Sequence, residues 1–306
     1  MSLAELVEVP GFEFTKEEFS VMKARIDAIP GYTKELLGQS YLGTDIHGYS
    51  LNGGSGKPVI LIEANIHGLH EWRTCYWVPR FMSLLSDTSL SPDPALFDRL
   101  VSRFAFYFLP TTNPDGYGTP SQSGPYQNGN LVNLNRNFSV MWENGPSDPS
   151  HSQYRGPEPF SEPESRIVRD KVLEIGPLAF VSCHSWGGQT GLTVALTSNT
   201  TYDQEAKDVH AAVKEVLELG DDSYLAGKIP QGLDTNWVAQ QVLPDGRQPF
   251  TFAMEAGDRA PEIEQARMGM TGLLAFCLQA EDYYDAGAEP AKKRRDLYSS
   301  QYLMLV

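Results

Sequence analysis

The sequence predicts an α/β fold: a twisted, mostly parallel sheet with helices on both faces. Three observations predict it. Apolar runs of strand length recur along the chain, runs of helical period separate them, and no apolar stretch reaches the roughly 18–20 residues that span a bilayer. The 306 residues suffice for one large α/β domain, and no internal repeat or low-complexity segment divides them. Residues 1–306 are therefore read as a single domain, with 1–35 a helical extension packed on it.

The elements follow in order. "TKEEFSVMKARIDAI" opens on a Thr cap with an acidic first turn and predicts a helix. Short strands are expected at 37–43 and 46–51, and "PVILIEAN" at 58–65 reads as a buried strand. "EWRTCYWVPRFMSLL" carries apolar residues at helical spacing. "FAFYFLP" at 104–110 and "LAFVSCH" at 178–184 are further strands, and "YDQEAKDVHAAVKEVLEL" at 202–219 is an amphipathic helix. "PFTFAMEAG" at 249–257 supplies a last core strand, and "EIEQARMGMTGLLAFCLQAEDYY" a closing helix.

Composition narrows the functional classes. With 41% hydrophobic and 21% charged residues the chain is of the globular type. A net charge of −15 argues against nucleic acid as a partner, because phosphate binding needs a basic footprint. It favours neutral or cationic substrates, although an acidic surface also serves plain solvation. Cys75, Cys183 and Cys277 are scattered and odd in number, which gives neither a disulfide framework nor a CxxC metal knuckle. That pattern, and an N-terminus "MSLAELVEVPGFEF" without the basic and apolar segments of a signal peptide, lead us to expect a cytoplasmic protein without a membrane partner.

In largely parallel sheets the functional residues gather at the C-terminal ends of the strands. The polar residues just after each apolar run are His67 with His70 and Glu71, then Asn113 and Asp115, His184 and Ser185, and Glu255. A lone strand-end histidine is commonly only hydrogen-bonded, and a lone buried Glu only ion-paired. Convergence is the stronger sign. A catalytic zinc site takes three protein ligands, commonly two His and a carboxylate, and leaves a fourth position for water. A second carboxylate beside it accepts the water's proton. His67, Glu71 and His184 suit the first task, and Glu255 the second.

Taken together and in order, the blocks resemble the zinc carboxypeptidases of the M14 family, over roughly residues 35–285. The blocks are "IHGLHEW", "NPDGY" (113–117), "NLNRNF" (133–138), "YRGPEPFSEPES" (154–165), "VSCHSWGGQ" (181–189) and "FTFAMEAGD" (250–258). The resemblance implies a three-layer sandwich around a mixed, mostly parallel sheet. It implies one Zn2+ per chain, held by His67, Glu71 and His184, with Glu255 as general base. Asn135 and Arg136 would grip a substrate's terminal carboxylate, as a guanidinium fork suits. Ser185 and Tyr224 would stand beside the substrate, a peptide or peptide-like molecule with a free carboxylate. "NPDG" is also turn chemistry, and "SEPES" a helix cap with an acidic first turn, so both blocks are expected to be structural.

Three departures from the family pattern bear on activity. His67 and Glu71 enclose three residues where the family has His-x-x-Glu. A one-residue insertion keeps Glu71 as ligand; retained spacing would make His70 the ligand instead, which zinc would accept. The intact "EW" pair favours the insertion. Second, the family's oxyanion-stabilising Arg is replaced by Tyr126, and no Arg or Lys occurs from 104 to 135. A Tyr hydroxyl donates a hydrogen bond but no charge, and loss of an oxyanion donor typically costs about 100–1,000-fold in turnover. Arg73 and Arg155 are candidate substitutes. Third, Asn133 stands where the family has an Asp that accepts from the first zinc histidine.

The sequence thus supports a metallocarboxypeptidase. Hydrolysis of γ-D-glutamyl-diaminopimelate links in cell-wall peptides is the alternative activity, and a weakened, non-catalytic binding protein is the alternative class. Asp234, in "KIPQGLDTNW", would select a basic C-terminal residue if it faced the specificity pocket.

Overall fold

The computed structural model describes residues 16–118, 126–185, 190–197, 203–216, 219 and 223–285. One eight-stranded sheet organises them, in spatial order β1-β2-β4-β3-β5-β8-β6-β7. The strands are β1 (Thr33–Gln39), β2 (Asp45–Leu51), β3 (Val59–Ala64), β4 (Ala105–Leu109), β5 (Ala179–His184), β6 (Leu192–Ala195), β7 (Tyr224–Ala226) and β8 (Phe250–Ala256). Strands β4, β3, β5 and β8 pair in parallel, as does β6 with β7. The β1–β2, β2–β4 and β6–β8 pairs are antiparallel, so the sheet is mixed.

The α-helices are α1 (Phe19–Asp27), α2 (Thr74–Ser86), α3 (Pro94–Arg103), α4 (Pro114–Gly118), α5 (Pro163–Ile175), α6 (Asp203–Val216), α7 (Asp234–Val238) and α8 (Glu262–Asp285). They cover both faces, and the strands show it by alternation. Ile60, Ile62, Phe106, Phe108, Val181 and Phe252 face a large core shared with α1, α2, α3, α6 and α8. Leu61, Tyr107, Leu109 and Phe180 point the other way, into a smaller core with Val168 and Val172 of α5 and Trp237 and Val238 of α7. The expected sandwich of helices on a mixed sheet is therefore what the chain forms. Met22 and Ile26 of α1 are buried in the large core.

Two details of the strands differ from the sequence expectation. The first strand runs 33–39 rather than 37–43, because a turn follows it: Gly43 N–H bonds to the Ser40 carbonyl, and Gly43 takes a φ of +89°. Strands β6 and β7 were not anticipated, being four and three residues long and too short to show a period.

Period-two alternation also decides where the polar residues go. Glu63, Ser182, His184 and Glu255 share strand parity with Leu61 and Phe180, so they lie on the smaller core's face. The parallel register sets Glu63 beside Ser182 and His184 beside Glu255.

Candidate active site

His67 lies just past β3, in a turn the surrounding sequence holds tightly. Asn65 adopts a left-handed φ of +62°, and its Nδ2 donates to the Gly68 carbonyl at 2.6 Å. Gly68 takes a φ of +55°, and a Cβ there would stand 2.5 Å from the Gly116 backbone. Only glycine fits. Asn113 of the "NPDG" turn donates to the Ile66 carbonyl at 3.0 Å and accepts from Gly116 N–H at 2.9 Å. A 3-10 turn, Gly68–Glu71, then carries the chain into α2. The extra residue between His67 and Glu71 is absorbed in that turn.

The turn swings the Glu71 carboxylate back to His67, whose Nδ1 is 2.7 Å from Glu71 Oε1. His184 Nδ1, from the end of β5, is 2.8 Å from the same oxygen. One donor atom from each of His67, Glu71 and His184 lies within 4.8 Å of the others. His70 is not in this group. Its Nε2 is 3.8 Å from Asp258, and its ring packs 4.5 Å from that of Tyr126.

Electrostatics follow from the burial. Burial pushes the Glu71 carboxyl upward, but His184 and His67 outweigh it and hold it below the usual carboxylate range. Burial lowers His184, yet Glu71 draws it up to about 10. Glu255 is pushed up to about 7 by burial, with Glu71 and Asp258 reinforcing and His184 and Arg136 opposing. Its Oε2 has no hydrogen-bond partner among the described residues. Beneath His184, Glu63 and Asp234 are both fully buried and both raised by burial, Glu63 to about 8.

The remaining expected residues are placed as follows. Asn135 Nδ2 stands 3.5 Å from His184 Nε2, while its Oδ1 accepts from Asp234 N–H at 3.0 Å. Arg136 forms no ion pair among the described residues. Burial lowers it to about 10, against the pull of Glu255 and Asp234. Tyr126 sits beside the group, its ring 6.0 Å from that of His67. Ser185 is fully buried, its hydroxyl taken by Gln265 of α8 at 2.8 Å. Tyr224 begins β7, and its side chain lies outside the described residues.

Three expectations change. Asn133 does not bond to His67: its Nδ2 donates to Gln153, and neither its Oδ1 nor His67 Nε2 has a partner among the described residues. Asp234 is fully buried, with Oδ1 receiving Thr235 N–H. Arg73 and Arg155 are committed elsewhere, Arg73 to Glu262 and the Trp72 ring, Arg155 to the ring and carbonyl of Trp142. Sequence reading missed Glu63 and Ser182, although an acid in "VILIEAN" and a serine two residues before His184 were signals.

The donor set fits a metal. Two imidazoles and one carboxylate match zinc's preference for nitrogen and oxygen, and three protein ligands leave one position open. Two ring nitrogens aimed at one buried oxygen mark a place for positive charge. The partnerless Glu255 oxygen adds an acceptor in the same site.

Comparison with known proteins agrees with this arrangement. The profile of the peptidase M14 zinc carboxypeptidases matches residues 20–234. A carboxypeptidase B of Astacus astacus is 37% identical over 158 residues, covering 46% of this chain and 49% of its own. Zinc carboxypeptidase A 1 of Anopheles gambiae is 26% identical, over 81% of this chain and 63% of its own. The match thus spans about half to three-fifths of these relatives' length. Among solved structures, bovine thrombin-activatable fibrinolysis inhibitor in complex with a tick carboxypeptidase inhibitor superposes with TM-score 0.67 at 19% identity, covering 89% of this chain and 98% of that one. Carboxypeptidase A of Helicoverpa armigera gives 0.63 at 20%, covering 88% and 72%. At such identities the structural likeness shows the fold. The profile match, across most of the chain, settles the family: this protein belongs to the M14 zinc carboxypeptidases.

Proposed function

We propose that this protein is a zinc-dependent carboxypeptidase that hydrolyses the C-terminal amide bond of a peptide or peptide-like substrate. The observation that carries the reading is the convergence of His67, Glu71 and His184 beside Glu255, whose Oε2 has no hydrogen-bond partner among the described residues. His67, Glu71 and His184 would hold one zinc ion per chain. Zinc bound there would acidify a water molecule and polarise the scissile carbonyl.

This chain's own groups do the rest. Glu255, raised towards neutrality, is matched to take a proton near pH 7 and deliver it to the leaving amine. Arg136 is a largely desolvated guanidinium with no carboxylate partner among the described residues, and a substrate's terminal carboxylate would supply one. Asn135 adds a neutral amide beside it. Tyr126, between His67 and His70, offers its hydroxyl to the oxygen that gains charge. Full burial of Asp234 argues against its selecting a basic terminal residue.

Mass spectrometry of N-blocked peptides incubated with the zinc-loaded chain tests this. Release of single C-terminal amino acids is expected, and Glu255→Gln should slow it about 100–10,000-fold. No release from any peptide, or an unimpaired Glu255→Gln, would overturn the assignment.

A further inference from the structure

Behind His184 the sheet holds a short chain of hydrogen bonds. Glu63 and Ser182 are in register on the parallel strands β3 and β5, both fully buried and on the same face as His184. Ser182 Oγ donates to Glu63 Oε2 at 2.7 Å and lies 3.0 Å from His184 Nε2. A serine hydroxyl has one proton and two lone pairs. With His184 Nδ1 turned to the metal position beside Glu71, Nε2 is the nitrogen left to carry a proton, and Ser182 Oγ can accept it while donating to Glu63. Among the described residues, the Asn135 amide nitrogen is the only other polar atom near Nε2. At 3.5 Å, and itself a donor, it does not compete.

The geometry points to Glu63 and Ser182 as positioning residues that fix the tautomer and ring orientation of His184. With Nε2–H anchored on Ser182, the Nδ1 lone pair is the one directed at the metal position beside Glu71. The relay rests on the zinc carboxypeptidase reading, and it deepens it. Glu63 acts through Ser182, and neither residue touches substrate. On the other arm, His67 Nε2 has no partner among the described residues, so the anchoring falls to the strand arm. Partners of this kind are typically worth about 10–100-fold in metal affinity.

The test is the zinc dissociation constant, measured by competition with a chromophoric chelator, for the full chain and four variants. Ser182→Ala and Glu63→Leu should each weaken zinc about 10–100-fold. The double variant should lose little more than either single one, because the two side chains act as one chain. Ser182→Thr, which keeps the hydroxyl, should restore most of the affinity. Independently of any variant, nitrogen-15 NMR of the zinc-loaded wild type should find His184 protonated at Nε2.

Ser182→Ala binding within twofold of wild type overturns the relay, as does strict additivity in the double variant or a proton on Nδ1. A wild-type chain that holds no zinc overturns the carboxypeptidase reading itself. The two failures are therefore separable.

Discussion

The two histidines of the candidate site are carried by very different pieces of backbone. His184 ends a central strand, paired on both sides, fully enclosed and anchored through Ser182 to Glu63. His67 sits in a turn of left-handed and 3-10 residues, mostly but not fully buried, and its Nε2 has no partner among the described residues. The strand arm is dictated by sheet register, which shifts only if every side chain on the strand changes face. The loop arm is dictated by local turn chemistry, which absorbs an extra residue without disturbing the sheet. All three departures from the family pattern fall on the loop arm: the His67–Glu71 spacing, Tyr126 and Asn133. Variation has gone where the fold tolerates it.

The largest expected effect comes from cutting each arm in turn. His184→Ala removes a fully buried imidazole and leaves Glu71, Ser182 and Glu63 facing a cavity. Stripping a buried charge of a partner typically costs about 3–5 kcal/mol. Denaturant unfolding of the metal-free proteins should show a loss of this order for His184→Ala and a smaller one for His67→Ala, whose side chain is 13% exposed against 2% for His184. Both variants should lose retained zinc by elemental analysis. Equal losses of stability would mean that the arms are equally structural.

The loop arm has its own fastening. Asn128 holds the chain between Tyr126 and Asn133 by donating to Glu162 at 2.8 Å and Glu164 at 3.1 Å, and Glu164 also accepts from Tyr41 N–H. Burial raises Glu164 to about 7, above the ordinary 4.5 of an unfolded Glu. A raised acid favours its protonated form in the fold. Its contribution is therefore fully present below pH 4.5 and is lost as pH rises through about 7, on the order of 3 kcal/mol in all. Glu164→Gln cannot ionise. Its stability relative to wild type should climb by that order between pH 4.5 and 8, measured by urea unfolding across the range. A constant difference across pH would mean that Glu164 stays ionised in the fold.

How much was legible divides along the same line. The strands β3, β4, β5 and β8, and the convergence of His67, His184 and Glu255 at their ends, follow from apolar runs whose alternation is local to the sequence. Glu63 and Ser182 were not read, because their meeting depends on which strands are neighbours and in what register, and neither is written in one segment. The choice between Glu71 and His70 stayed open for another reason. It turns on whether Gly68 can take a left-handed φ against Gly116, a contact 48 residues distant in sequence. Asn133 was placed in the correct block, yet its partner proved to be Gln153.

That partner choice gives the smallest and most pointed prediction. Asn133 gives its amide nitrogen to Gln153, and among the described residues its buried Oδ1 has no donor and His67 Nε2 no acceptor. A carboxylate at this position cannot donate to Gln153 at all, so the present contact would be replaced and both oxygens would seek donors. Asn133→Asp should then give His67 the charged acceptor that the strand arm has by way of Ser182, and zinc affinity should rise about 10–100-fold. The same chelator competition measures it. A gain of that size would make the two arms alike and assign the asymmetry to one amide. If zinc affinity is unchanged or weaker, the loop arm's freedom lies in its backbone, and no single side chain restores it.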